Sequence, residues 1–460
     1  MTITSPDASA LDLLATDLDG SLLRPGDTGW DAARQAWHLA VDQRPTAVVV
    51  AASVRDIVMV VDTARVLGLR VAAQSTGHNA GPMGDLAGSI LLRTSAMRGV
   101  HIDARARLAR VEAGAQWADV TTAAGEHGLA ALAGSAPDVG VAGYTLGGGL
   151  SWLGRSHGLA ANSVVAIEVV TADGALRRVD PDHDPDLFWA LRGGGGSFGV
   201  VTALEFRLYP ITQVYAGVLF FPAERAVEVL RAWREWLPSV PDEVTSVGRI
   251  LHFPPLPELP PHLSGRSYVV VEAACQLSVG QADELLAPLR ALEPELDTFQ
   301  PTPVGELGLL HMDPPGPVPA HGDGMLLGEL PEQAVDVFVD VSRAHGPALL
   351  SLELCHRGGA LRPGAMAGGA VDGIDAAFAV FAAGMTPTEE ATRAVTAAVD
   401  AVHRSLAPWS TGGCYLNFAE RPKPGQALFG ADVHRRLTRI KAAYDPADVI
   451  RANHPVPPAS

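Results

Sequence analysis

Cysteine is scarce: the 460 residues hold three, Cys275, Cys355 and Cys414, and no two form a CxxC pair. That spacing excludes a disulfide framework and a zinc knuckle. The 15 histidines never come closer than ten residues apart, so neither HxH nor HExxH occurs and no metal site is expected. Basic charge is in deficit, 34 Lys and Arg against 51 Asp and Glu, for a net charge of −17. A surface of that sign repels phosphate backbones and anionic lipid, which argues against nucleic acid and membranes as partners. Apolar runs of about 18 residues are missing. The most apolar region, 46–74, is broken by Arg55, Asp56, Asp62, Arg65 and Arg70. The opening MTITSPDASALDLLA has no basic start and no long apolar stretch, so a cytoplasmic protein without a secretory signal is expected. What is present is core material: 47% of residues are apolar and 18% charged, with 48 Gly and 35 Pro marking many turns. At about 150 residues per domain the length suits two large domains or three smaller ones.

Residues 46–51 (TAVVVA) read as a buried strand. Ser53 and Asp56 then form a capping box, Val54, Ile57, Val58, Val61, Ala64 and Leu67 recur at helical spacing, and Gly68 supplies the stop. A second strand, Leu69–Gln74, completes a β-α-β unit that ends in the turn STGHN, 75–79. Strands follow at Ser89–Leu92 and Ala109–Glu112, and a helix runs from Gln116 to about His127. Asp173-Gly174 closes a hairpin between 163–171 and 175–179. After Pro210 the texture changes to strands near 213–221, 245–251, 267–276, 348–356 and 376–385, alternating with helices near 223–236, 279–292, 331–344 and 388–406. This pattern predicts an α+β domain covered on one side. A last helix, Ala431–Tyr444, closes the chain.

Several short patterns invite chemistry. DLDGS (17–21) is similar to the nucleophile motif of haloacid-dehalogenase-type phosphatases, but LDLLAT before it makes a poor strand, and a surface turn is the simpler reading. Gly194, Gly196 and Gly199 match GxGxxG, yet a helix precedes them and a strand follows, the reverse of a dinucleotide fingerprint. In STGHN successive N–H groups can form an anion nest with His78 inside it; an ordinary polar turn is the alternative. The glycines of TLGGGLSWLG (145–154) permit close approach of a flat ligand. Tyr415 and Asn417 read as one face of an alternating strand, either functional or satisfying each other's hydrogen bonds.

Six segments, taken in order, resemble the berberine-bridge-enzyme-like flavoproteins, FAD-linked oxidoreductases with the PCMH or vanillyl-alcohol-oxidase type of FAD-binding fold. They are RPTAVVVAASVRDIVMVVDTARVLGLRVAAQSTGHNAG (44–81), VEAGAQWADV (111–120), GSAPDVGVAGYTLGGGLSWLGRSHGLAANSV (134–164), DLFWALRGGGGSFGVVTALEFRLYP (186–210), LELCHRGGAL (352–361), and YLNFAERPK with LTRIKAAYDPADVI (415–450). The resemblance implies an α+β protein: a two-part FAD-binding domain of 1–210 with a C-terminal segment, 407–460, returning to it, and a substrate domain of 211–406 with an antiparallel sheet covered by helices.

It also implies a cofactor site. Ser75, Thr76, Gly77, His78 and Asn79 match the pyrophosphate loop, with His78 at the position commonly bonded to the flavin 8α-methyl. Gly134, Ala136, Pro137, Val139, Gly140, Gly143, Tyr144, Gly147, Gly148 and Gly149 match the stretch along the flavin. Gly158, Leu159, Val200, Tyr415 and Asn417 match further contacts. Ala136 stands where doubly linked members have cysteine, which makes a cysteinyl link impossible there and leaves FAD covalent through His78 only. Tyr144 replaces a frequent histidine, and Phe418 a frequent tyrosine. The candidate catalytic groups are Tyr415, Tyr144 and Glu353. Tyr415, as a base, needs a pKa well below the usual value of about 10. His356 lies on the opposite strand face from Glu353, so at most one reaches the site. The expected activity is hydride transfer from a C–H of an alcohol, amine or sugar to flavin N5, with O₂ as acceptor. The position of Val139, three after Ala136, is linked in the family with oxygen access. The alternatives are the phosphatase and a non-catalytic flavin- or small-ligand-binding protein.

Overall fold

The structure, a computed structural model, describes residues 5–459; Met1 to Thr4 of the N-terminal segment searched for a signal lie outside them. The first half of the chain builds two sheets. In one, Ala47–Val50 and Arg70–Gln74 both run parallel to Ser89–Arg93 between them, with Ser21–Leu23 and Ile450–Arg451 at the edges. The crossover helix Val54–Leu67 starts at Ser53, whose side chain accepts the Asp56 N–H, and stops at Gly68 with φ 64°. Ile57, Val60, Val61 and Ala64 pack onto Val49, Ile90 and Val71.

The expected capping box is only half made. The Asp56 carboxylate turns to the N–H groups of Asp19, Gly20 and Ala52, at 2.8, 3.0 and 2.8 Å. The same contacts decide the DLDGS motif: a helix, Ser5–Asp17, precedes it, and its turn is a structural one pinned by Asp56. The phosphatase reading therefore lacks its strand.

The second sheet is antiparallel, in the order Val100–Asp103, Leu108–Glu112, Val200–Arg207, Val164–Val170, Leu176–Val179. Beyond it, an eight-stranded antiparallel sheet begins at Gln213–Pro222. Its central strands Ser267–Cys275, Val244–His252, Ser351–His356 and Phe378–Met385 are neighbours in that order. Helices Ala226–Trp236, Val279–Arg290, Glu332–His345 and Glu389–Leu406 cover one face, where Trp233, Phe338, Leu352 and Val399 share a core. The other face presents Ala216, Val247, Ala274, Cys355 and Ala379 to Trp152, Leu159 and Tyr415. With both faces buried, these strands carry continuous apolar runs instead of alternation, as in SYVVVEAAC.

The C-terminal helix Ala431–Tyr444 ties the tail to the first half. Lys441, fully buried, pairs with Asp445 at 2.5 Å and donates to the carbonyls of Ser197 and Ile450.

Candidate functional site

Three pieces of chain meet beneath the inner face of the large sheet. The first is the turn 75–79, at the end of the strand Arg70–Gln74. Gly77 has φ 89°, and a Cβ there would lie 2.8 Å from Gln74 Nε2 and 2.9 Å from Ala36 Cβ, so only glycine fits. His78 Nδ1 lies 2.8 Å from Thr76 Oγ1. Its ring stacks on Trp37 at 4.1 Å, and its Nε2 stands 3.5 Å from Asp138 Oδ1. Trp37 Nε1 donates to the other Asp138 oxygen at 2.5 Å. Burial opposes ionisation of Asp138, but His78 and Trp37 outweigh it and hold the carboxyl below its usual range.

The second piece is the glycine run. Gly140 caps the short helix Val141–Leu146, and a Cβ there would come within 2.8 Å of Ser75 Oγ, so this run packs directly on the turn. A Cβ on Gly147 would collide with Asn417 Oδ1, and one on Gly149, at φ 81°, would lie 2.5 Å from the Tyr144 ring. A Cβ on Gly143, by contrast, would meet nothing within 4 Å. The Tyr144 hydroxyl donates to the Leu132 carbonyl at 3.2 Å. Val139 packs partly buried against the Trp117 cluster, and its carbonyl accepts the Trp117 N–H at 3.0 Å. Gly134, Ala136, Pro137, Trp117, Val304 and Leu307 line a small cleft.

The third piece is the tail. Tyr415 and Asn417 do not lie on a strand: Leu416–Phe418 is a 3₁₀ turn. Local bonds favour it. Asn417 Nδ2 donates to the Tyr415 hydroxyl and to the Tyr144 carbonyl, both at 3.0 Å, and the Phe418 N–H bonds back to the Tyr415 carbonyl at 2.9 Å. The Tyr415 hydroxyl also accepts the Gly149 N–H at 2.9 Å. Burial pushes the phenol up despite Arg357 and these donors, the opposite of what a base near neutrality requires. Burial raises Tyr144 as well. Asn417 thus donates to the Tyr415 oxygen, while the Tyr415 hydroxyl proton is not used in these bonds.

Glu353 is on the inner face of its strand, and His356 packs on the helix side against Phe378. Glu353 belongs to a buried network. His311 Nε2 meets Glu353 Oε2 at 2.8 Å, His311 Nδ1 meets Glu272 Oε2 at 2.6 Å, and Arg249 pairs with Glu272 at 2.6 Å. Desolvation and Arg249 disfavour the imidazolium, yet Glu272, Glu353 and Asp313 together push His311 up to about 10. Burial opposes the Glu353 carboxylate, but His311 and Arg249 keep it below the usual glutamate range. The rings of Trp152, from the glycine run, and His311 meet edge to face with centroids 5.9 Å apart. Glu272, His311 and Arg249 escaped sequence reasoning. The available signal was a charge inside an apolar strand, Glu272 in VVVEAAC and Arg249 in SVGRIL, since a buried charge requires a partner.

The structure brings turn, glycine run and tail together. Leu159 and Gly158 border them, Leu159 through its N–H to Asn162 Oδ1 at 2.7 Å and Gly158 at φ 81°. Val200 stands apart, its side chain buried in the core under the parallel sheet. Ser75 Oγ, His78 Nε2, Asn79 Oδ1 and Asp138 Oδ1 are buried without hydrogen-bond partners. Unpartnered polar atoms in a cradle of close glycines, open at Gly143, fit a large polar cofactor such as FAD. Among the described residues no cluster of His, Cys, Asp and Glu suits a metal ion, and no helix is long and apolar enough to cross a membrane.

Residues 45–180 match the FAD binding domain model, and 414–457 match the model for berberine and berberine-like proteins. The (R)-6-hydroxynicotine oxidase of Paenarthrobacter nicotinovorans is 34% identical over 229 residues, 49% of this chain and 47% of that protein. The match thus spans about half the length of that relative. The uncharacterized FAD-linked oxidoreductase YgaK of Bacillus subtilis (strain 168) is 28% identical over 461 residues, covering 96% of this chain and 98% of that one. Wild-type BBE-like 1 of Physcomitrella patens has the same fold, with a TM-score of 0.84 at 19% identity over 98% of this chain and 99% of that one. The chain thus carries an FAD binding domain and a C-terminal berberine-like segment, has the fold of a BBE-like protein, and is similar to the berberine-bridge-enzyme-like FAD-linked oxidoreductases.

Proposed function

We propose that the protein is an FAD-dependent oxidase that removes hydride from a C–H of a small alcohol, amine or sugar, with O₂ as the final acceptor. Bound FAD supplies the two-electron sink; the chain supplies orientation, proton handling and exclusion of water. The observation that carries the reading is His78, held at Nδ1 by Thr76, stacked on Trp37, and presenting a buried, unpartnered Nε2 beside Asp138. A neutral imidazole so placed is a nucleophile with a proton acceptor next to it, which supports a single covalent tether at this residue. With Ala at 136, no second tether forms there.

The same geometry distributes the roles. Tyr415, neutral and with its oxygen already accepting two N–H groups, is left to donate its own proton as a hydrogen bond. Glu353, kept ionised by its bond to His311, sets a negative charge in the roof of the site. Tyr144 lines the floor at the open face of Gly143. Relatives named as oxidases, the 6-hydroxynicotine and glucooligosaccharide enzymes, favour oxygen as acceptor.

The test is a panel of alcohols, amines and sugars given to the anaerobic holoprotein, followed by admission of air. At least one substrate bleaches the flavin, and air restores the colour with release of H₂O₂. Recovery only with a quinone dye would make the protein a dehydrogenase. A flavin that no compound bleaches would make it a binding protein.

A further inference from the structure

Arg357 has no role in the chemistry above, and its guanidinium has no hydrogen-bond or ion-pair partner among the described residues. It follows the strand Ser351–His356, and its N–H bonds to the Ala377 carbonyl at 2.9 Å. Strand alternation puts it on the face of Glu353 and Cys355, the face that meets Trp152, Tyr144 and Tyr415. The side chain is 2% exposed, yet Nε and Nη2 have no hydrogen-bond partner. No carboxylate pairs with it among the described residues, because the nearby acids are committed elsewhere. Glu353 is bonded to His311, and Glu272 to His311 and Arg249. Arg155, the neighbouring buried arginine, shows the contrast: it holds the Val244 carbonyl at 2.8 Å and Asp242 at 3.2 Å.

Arg357 acts on the cleft electrostatically. Against the larger effect of burial, its charge favours ionisation of the Tyr144 and Tyr415 phenols and of the Cys355 thiol, so it stands within reach of both sides of the site. Its position is fixed by the turn behind it, where Gly358 and Gly359 take φ 107° and 57°. A guanidinium enclosed this way is disfavoured without a counter-ion, and its planar fork matches a carboxylate. In a chain of net charge −17, an uncompensated buried cation facing the cleft is a recognition element.

We propose that Arg357 anchors an anionic group of the substrate, a carboxylate or an ionised phenol or enol, beneath the roof of the site. The proposal rests on the reading above that this cleft receives the substrate. It narrows the class from alcohols, amines and sugars in general to those that carry an acidic group one cleft-width from the reacting C–H.

The test is calorimetric titration of the holoprotein with acetate, benzoate and phenylacetate, with benzamide as the neutral isostere of benzoate. At least one carboxylate binds, and benzamide binds at least tenfold more weakly than benzoate wherever benzoate is the ligand. Loss of a charge-assisted bidentate contact predicts roughly 10- to 100-fold weaker carboxylate binding in Arg357→Met. Arg357→Lys, which keeps the charge and loses the fork, falls between. Flavin content and far-UV circular dichroism report that each variant is folded. Three results overturn the proposal: no carboxylate bound by the wild type, equal carboxylate affinity in the wild type and Arg357→Met, or unchanged carboxylate affinity with a lowered flavin reduction potential in Arg357→Met. The last would assign the guanidinium to the cofactor. Calorimetry needs no chromophore, so Arg357-dependent binding in a protein that holds no flavin would keep this inference and refute the FAD reading alone.

Discussion

Replacing Glu353 by Gln tests the buried network most sharply. In the wild type two cations, Arg249 and His311, face two carboxylates, Glu272 and Glu353, all buried. Glu353→Gln leaves two cations and one carboxylate. Removing one partner from a buried ion pair costs about 3–5 kcal/mol, and the amide oxygen, still able to accept from His311, places the loss near 3. The pH dependence adds a signature. His311 is raised from 6.5 to about 10 in the folded protein. A group raised on folding gives its full stabilisation below its unfolded pKa, so this contribution is complete below about pH 6.5 and is lost as pH climbs to about 10. Within that window the slope reaches about 1.4 kcal/mol per pH unit. Without the Glu353 charge His311 titrates lower, and the window closes earlier.

The assay is urea denaturation followed by tryptophan fluorescence at pH 7, 8, 9 and 10, in both proteins. The variant starts about 3 kcal/mol less stable at pH 7, and the gap narrows toward pH 10. Other groups titrating in this range are common to both proteins and cancel in the difference. A loss below about 1 kcal/mol, or two parallel curves, would show that the four groups do not form a coupled buried network.

Three further substitutions probe the site. Tyr415→Phe removes the proposed hydrogen-bond donor and slows flavin reduction by substrate roughly 100-fold, with a normal flavin spectrum; since burial raises this phenol, the wild-type reduction rate shows no Tyr415 titration below pH 10. Val139→Leu adds a methylene beside the run that borders Gly140, and slows reoxidation of the photoreduced protein in air without slowing reduction by substrate. Gly149→Ala forces a Cβ at φ 81° to within 2.5 Å of the Tyr144 ring and 2.6 Å of Ala160 Cβ, which costs about 1–3 kcal/mol and weakens flavin retention; a thermal melt equal to the wild type would contradict the close packing.

The parts legible in the sequence were those encoded by local chemistry. The crossover helix reads from Ser53, its apolar spacing and Gly68, all of which act within a few residues. The last helix, Ala431–Tyr444, reads equally well. The turn 75–79 and the glycine run were visible because backbone clearance leaves no alternative to glycine at Gly77 or Gly149. What was not legible depends on distant partners. The strand Ala320–Leu327 was missed because His321, Gly322, Asp323 and Gly324 are poor strand formers; its glycine makes room for the tail, where a Cβ on Gly324 would lie 2.6 Å from Phe418 Cβ. Tyr415 to Phe418 looked like an alternating strand, and the Asn417 side chain turned it into a 3₁₀ turn. His311 comes from a loop 39 residues from Glu272 and 42 from Glu353, so no local pattern joins them.

The most direct test of the central claim, FAD held between the turn 75–79 and the glycine run through His78, is to denature the purified protein in acid, digest it with trypsin and locate the flavin by mass spectrometry. One flavin per chain is expected, on the peptide from Val71 to Arg93 that contains His78, and none on the cysteine peptides. Complete release of flavin into the acid supernatant would contradict the tether, and a chain that stays colourless after incubation with FAD would contradict the site itself.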